Sequence, residues 1–279
     1  MVKPILCYGS QIWGNEYSPA IEFVHNMFCK KLLHVRKTTN TCMVLGECGR
    51  LPLCITYFTN CIRYWCKLLT MTSDRYPRQC YIMLKSIDDA GRICWATKVK
   101  SILFTYGFGY VWISQEIGDC DMFINVFRNR LIDCFTQNWH DTVSNSSRCH
   151  HYSHFKTLLN IERYLIIEMP AKHKIAYAKF RCSNHKLQVE TGRHLNITFQ
   201  NRVCNVCSQI NINMTFVDCE YHAFFHCTKY TSIRNQFLFN WYNSGTDLNN
   251  FYDLLSTNDF ETIRKLAVYI FYLMNSIKD

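Results

Sequence analysis

A mainly α-helical fold is what the sequence predicts, on three observations. Chain breakers are scarce: 10 Gly and 5 Pro in 279 residues. Hydrophobic residues make up 48% and charged residues 19%, which supplies a buried core and excludes disorder. Apolar residues also recur at helical spacing in most segments. The length suits one large domain or two to three small ones.

The elements follow in order. Ser18-Pro19 opens a helix, with Ser as cap and Pro at its first position. Ile21, Val24, Phe28, Leu32 and Val35 form its expected buried stripe, leaving Lys30, Lys31, Arg36 and Lys37 on the opposite side. A second helix starts at Pro52 and buries Ile55, Phe58, Ile62, Trp65 and Leu69. "TSDRYPRQ" then reads as a polar break. A third helix, from about Arg92 to Tyr106, carries Trp95, Val99, Ile102 and Leu103 before "GFG" stops it. A long helix from Asp121 to about Val143 turns Phe123, Val126, Phe127, Leu131, Cys134 and Phe135 inward, and "SNSSRCHHYSH" after it is a loop. "AKHKIAYAKFRCSNHKLQVETGR" reads as a basic helix followed by a turn. At the end, Asn258 and Glu261 have capping-box spacing, ahead of a stripe of Ile263, Leu266, Ile270, Leu273 and Ile277.

Net charge is +10, an excess that suits a polyanionic partner, nucleic acid before membrane. The longest apolar run near the end, "LAVYIFYLM", is nine residues and too short to span a bilayer. The first residues, "MVKPILCYGSQIW", lack a signal-peptide core. The chain has 17 Cys, but Cys29, Cys54, Cys61, Cys66 and Cys134 fall at apolar helical positions, where Cys packs as a small hydrophobe. A reducing, intracellular compartment is therefore expected. The sequons at Asn145, Asn196 and Asn213 then count as chance matches.

"CNVCSQININMTFVDCEYHAFFHC", Cys204 to Cys227, concentrates thiol and imidazole. Cys204 and Cys207 form a Cys-x2-Cys pair that offers two sulfurs from one tight turn. His222 with Cys227, or Cys219 with His222, completes a tetrahedral set, and spacing alone leaves both open. Either way all four positions come from protein, so the expected cofactor is a structural Zn2+.

Several segments together resemble the C-terminal region of a reverse transcriptase from a non-LTR (LINE-type) retrotransposon. They are "LCYGSQIWG", "CKKLLHVRKTTNTCMVLGECGRLPL", "KFRCSNHKLQVETGR", "RVCNVC" and "DCEYHAFFHCTKYTSIR". The resemblance implies a thumb-like segment at 1–72, a helical linker region at 73–195 and a zinc-knuckle-like module at 196–279. It favours Cys204, Cys207, His222 and Cys227 as ligands, with Cys219 standing where the family usually has an acidic residue. It also implies RNA and DNA as partners. The expected contacts are Lys30, Lys31, Arg36, Lys37, Lys172, Lys174, Lys179, Arg181, Lys186 and Arg193, basic residues interleaved in places with aromatics.

The family's catalytic aspartates lie on a polymerase palm, upstream of everything here. "SIDDAG" matches them only superficially and reads as a loop, with Asp88 or Asp89 near the next helix start. The expectation is a truncated, non-catalytic product. Its rivals are a zinc-stapled protein-interaction scaffold, a remnant with no partner, and a Cys/His hydrolase built on Cys149, His150, His151 and His154. Membrane association and a particular oligomeric state are not implied.

Overall fold

A computed structural model describes residues 2–210, 216–238 and 245–278. The fold is mainly α-helical, and the one β feature among the described residues is an isolated antiparallel bridge between Val203 and Val217. No helix among them is long and apolar enough to cross a membrane. The chain forms two compact units, residues 1–25 with 51–139, and residues 26–50 with 140–279. These limits differ from the segments 1–72, 73–195 and 196–279 read along the sequence. The physical reason is that residues 26–50 join the later unit through a buried ion pair, which no linear reading displays.

In the first unit the helix Leu53–Thr70 is central. Ile55, Phe58, Ile62 and Trp65 are buried as its stripe requires, joined by Tyr57, Cys61 and Cys66. Trp65 stacks on Trp112 with ring centroids 5.8 Å apart, and its indole N–H donates to the Tyr81 hydroxyl at 2.9 Å. Tyr81 belongs to a helix, Tyr76–Asp89, whose first turn overlaps the end of the expected polar break "TSDRYPRQ". Pro77 sits in its first turn, where a missing N–H costs nothing. "SIDD" is accordingly the last turn of that helix and not a loop. Asp88 is buried and pairs with Lys100 at 3.1 Å, and Asp89 pairs with Lys85 at 2.8 Å.

The helix Trp95–Thr105 buries Val99, Ile102 and Leu103 as expected. In the long helix Cys120–Asn145, Phe123, Phe127 and Leu131 face inward, whereas Val126 is 49% exposed.

The helix Pro19–Leu32 begins where Ser18-Pro19 places it, but turns a different face inward. Glu22, His25, Cys29 and Lys30 are buried, whereas Val24, Phe28 and Leu32 are exposed. A polar face wins here because its groups find partners. The Glu22 carboxylate accepts the Cys54 N–H at 2.7 Å, and Lys30 donates to the Lys37 carbonyl at 2.8 Å.

In the second unit, Glu47 on the helix Thr41–Cys48 and Arg181 at the end of the helix Ala171–Arg181 meet in the interior. The guanidinium gives Glu47 bonds of 2.8 and 3.0 Å. Tyr164 donates to Glu47 at 2.7 Å, and Arg181 also reaches Glu162 at 3.1 Å. Gly49, at φ +57°, lets the chain pass close to Ile161; a Cβ there would lie 2.2 Å from the Ile161 nitrogen.

The helix Phe260–Lys278 closes the unit with its whole expected stripe, Ile263, Leu266, Ile270, Leu273 and Ile277, buried. Its cap is Asp259 rather than Asn258: the Asp259 carboxylate accepts the Thr262 N–H at 2.8 Å. The expected loop "SNSSRCHHYSH" contains two short helical turns, Ser147–Cys149 and Tyr152–Phe155.

Candidate metal centre

The Val203–Val217 bridge fixes the base of the site. The Cys204 N–H donates to the Phe216 carbonyl at 2.8 Å, and the Asp218 N–H to the Arg202 carbonyl at 2.8 Å. Cys204 then leads into the helix Asn205–Ile210, whose first turn brings the Cys207 sulfur back over it.

The other half comes from a π-helical turn, His222–His226. The Cys227 N–H bonds to the His222 carbonyl at 2.8 Å, an i→i+5 link. This wide turn is the physical reason that a His-x4-Cys spacing presents both side chains to one point.

The Cys204, Cys207, His222 and Cys227 ligand atoms all lie within 4.8 Å of one another, and all four residues are buried. The Cys227 sulfur is 3.7 Å from that of Cys204 and 3.9 Å from that of Cys207. A tetrahedron with Zn–S bonds of about 2.3 Å has edges of about 3.8 Å. Both ring nitrogens of His222 are buried without a hydrogen-bond partner, although a buried imidazole normally finds one. The donors therefore fit a metal ion. Cys219 is buried but stands outside the group of ligand atoms that converge. The spacing alternative built on Cys219 is thereby set aside.

Without an ion, the two closest thiols of the site divide a single proton between them. A hydrogen bond from Cys227, with a further contribution from His222, holds the Cys204 thiol down to about 3. Cys227 is raised in return, since it keeps the proton the pair shares. Thiolate is the form that ligates.

Supporting contacts come from residues that spacing gave no reason to single out. Arg234 is buried and donates to the carbonyls of Ala223, Phe224 and Cys227, closing the open end of the π turn. The Tyr269 hydroxyl donates to the Phe224 carbonyl at 2.6 Å, tying the C-terminal helix to the same turn. The signal for Arg234 was a lone cation in an otherwise uncharged helix, Thr231–Phe237. Glu220 accepts from Ser183 at 2.6 Å and lies 2.9 Å from His185 Nε2, and the Asp218 carboxylate accepts the Gln188 N–H at 2.8 Å. These bonds attach the cluster to the segment just before it.

The basic residues divide. Lys31, Arg36, Lys37, Lys172 and Lys186 are exposed, and Lys174, Lys179 and Arg193 are partly so. Arg181 is 2% exposed and fully engaged by Glu47 and Glu162, so it is removed from any phosphate-contacting set. Lys30 is 8% exposed and holds the Lys37 carbonyl, which removes it as well. In both cases a charge was assigned to the surface by residue type, whereas specific acceptors inside the fold claim it.

At the Cys/His hydrolase candidate, the Cys149 sulfur meets the Asn40 amide at 3.5 Å. Burial pushes its thiol up to about 11, the opposite of what a nucleophile needs. His151 Nδ1 lies 3.1 Å from the Tyr252 hydroxyl instead. Asn213 lies outside the described residues.

Comparison of the chain with protein-family models, curated proteins and solved structures returned no match.

Proposed function

We propose that the chain is a non-catalytic nucleic-acid-binding module whose C-terminal part is stapled by a structural Zn2+ on Cys204, Cys207, His222 and Cys227. The observation that carries the reading is the convergence of three sulfurs and an otherwise unpartnered imidazole at one buried point. A set of three thiolates and one imidazole favours zinc over hard cations, and four protein donors leave no open position for a substrate water. The ion's contribution is to folding: it holds a two-stranded bridge, a short helix and a π turn together.

The nucleic-acid part rests on the net charge of +10, the exposed cations, and the resemblance to the region after the palm of non-LTR reverse transcriptases. RNA and DNA are the partners that this reading names. The pairing of Asp88 with Lys100, at a helix end, supports leaving catalysis out of it. The 17 free cysteines support a reducing, intracellular setting.

One observation favours the runner-up, a zinc-stapled protein-interaction scaffold: Val24 at 45%, Phe28 at 40% and Leu32 at 54% exposure, at i, i+4, i+8 spacing, give one helix an apolar outer side. Titrating zinc-loaded protein with single-stranded RNA across a salt series separates the two. The nucleic-acid reading requires affinity that falls steeply with salt. Absent binding, or a flat salt dependence, would leave the scaffold.

A further inference from the structure

A polar pocket of about 150 Å³ lies in the second unit, separate from the four ligating residues. Three arginines line it from three parts of the chain: Arg36 after the first basic helix, Arg148 in the turn Ser147–Cys149, and Arg193 in the helix Gln188–His194. Glu190 is the one acidic residue of the lining. It is already engaged, accepting from Arg193 Nη2 at 2.6 Å. Two positive charges therefore stand in excess at the pocket.

The decisive detail is Arg193. Its Nε and Nη1 atoms are buried and have no hydrogen-bond partner. A guanidinium carries five N–H donors in a planar fork, and buried ones are ordinarily satisfied. Here three of the five, on Nε and Nη1, have no acceptor, in a pocket that a second arginine also lines. Burial lowers the Arg193 pKa, Glu190 acts against that, and the charges of Arg148 and Arg202 lower it further. Glu190 offsets one of these like charges, and a bound oxyanion would offset those that remain. Thr38, Thr191 and Asn184 add small polar groups to the wall.

We propose that this pocket takes one phosphate group, with Arg193 and Arg148 as its principal ligands and Arg36 at its exposed edge. The source of the phosphate, a polynucleotide backbone, rests on the reading of the chain as a nucleic-acid-binding module. Two of these arginines were expected contacts from sequence; the fold brings them to one place and adds Arg148.

The test uses full-length, zinc-loaded protein and two probes. Inorganic phosphate, added against chloride at matched ionic strength, should raise the thermal midpoint of the wild type. Arg148→Gln, at an exposed position that leaves the Glu190–Arg193 pair intact, should lose that response. A midpoint indifferent to phosphate, or one that rises equally in the variant, overturns the pocket. The second probe is a uridine homopolymer strand titrated across salt. Arg148→Gln and Arg36→Gln should each flatten the log–log slope by about 0.7. Strong salt-dependent RNA binding with unchanged slopes overturns the backbone as the phosphate source while the nucleic-acid reading stands. A phosphate response lost with Arg148 in a protein that binds no RNA supports the pocket and overturns that reading.

Discussion

At the scale of single residues, the roles of chemically similar side chains separate by environment. Cys219 and Cys227 are both buried thiols near His222, yet only Cys227 sits where three other donors point. His222→Ala should therefore abolish zinc stoichiometry measured by metal analysis, and Cys219→Ser should leave it intact. Retained zinc in the first variant, or its loss in the second, would reassign the site. Arg181 makes the same point for cations. Removing one partner of a buried ion pair leaves the other uncompensated, and Arg181→Gln should cost about 3–5 kcal/mol in denaturant unfolding. If the variant binds RNA at all, its salt slope should match that of the wild type, because this charge never faces solvent.

His151 adds a pH dependence. Burial holds its imidazole down to about 4, below the ordinary 6.5, with Glu220 opposing the shift. The unfolded chain therefore takes up a proton first as pH falls. The stability that goes with a neutral, buried His151 is present above about 6.5 and lost progressively towards 4. Over that window His151→Phe should flatten the fall in unfolding free energy by about 2–3 kcal/mol relative to wild type. An unchanged pH profile would show that the ring is not held neutral.

At the scale of elements, periodicity located helices well and chose faces less well. The C-terminal stripe from Ile263 to Ile277 is buried throughout, because a strong apolar face has no competitor. On Pro19–Leu32 the apolar residues lose to Glu22 and Lys30, whose partners sit on Cys54 and Lys37. Caps shift by a residue for a similar reason: Asp259 reaches the Thr262 N–H, whereas the capping-box spacing pointed to Asn258. Asp259→Ala should cost about 1 kcal/mol in denaturant melts, and Asn258→Ala much less. Equal effects would show that the assigned cap is not the working one. On the basic helix Ala171–Arg181, Lys172 is exposed and remains a candidate contact, whereas Lys174 donates to the Leu165 carbonyl at 3.1 Å and is engaged as Lys30 is. Lys172→Gln should flatten the RNA salt slope by about 0.7. The thermal midpoint should barely move, since exposed charges add little to stability. A full slope in that folded variant would make this helix face merely solvated.

At the scale of the whole molecule, the four-donor cluster and the ion network tie the second unit together by different means. The network of Glu47, Arg181 and Glu162 is independent of metal. The cluster brings three thiols and an imidazole to one buried point, where a bound ion would hold them together. A strong chelator should therefore loosen the region around residues 204–227 first, seen as hydrogen exchange rising there before it rises around Arg181. Simultaneous exchange in both regions would mean that the metal holds the whole unit.

The sequence by itself determined the helical class, most helix positions, and a ligand set narrowed to two alternatives. Those follow from local quantities: breaker content, periodicity, and the reach of a Cys-x2-Cys turn. The tertiary structure decided between Cys219 and Cys227, because a π turn adds a residue to the loop and local spacing does not reveal it. It also decided which cations are buried and which arginines share a pocket. Those outcomes depend on acceptors contributed by distant segments. Glu47 and Arg181 are far apart in the chain, and only the folded backbone sets one against the other.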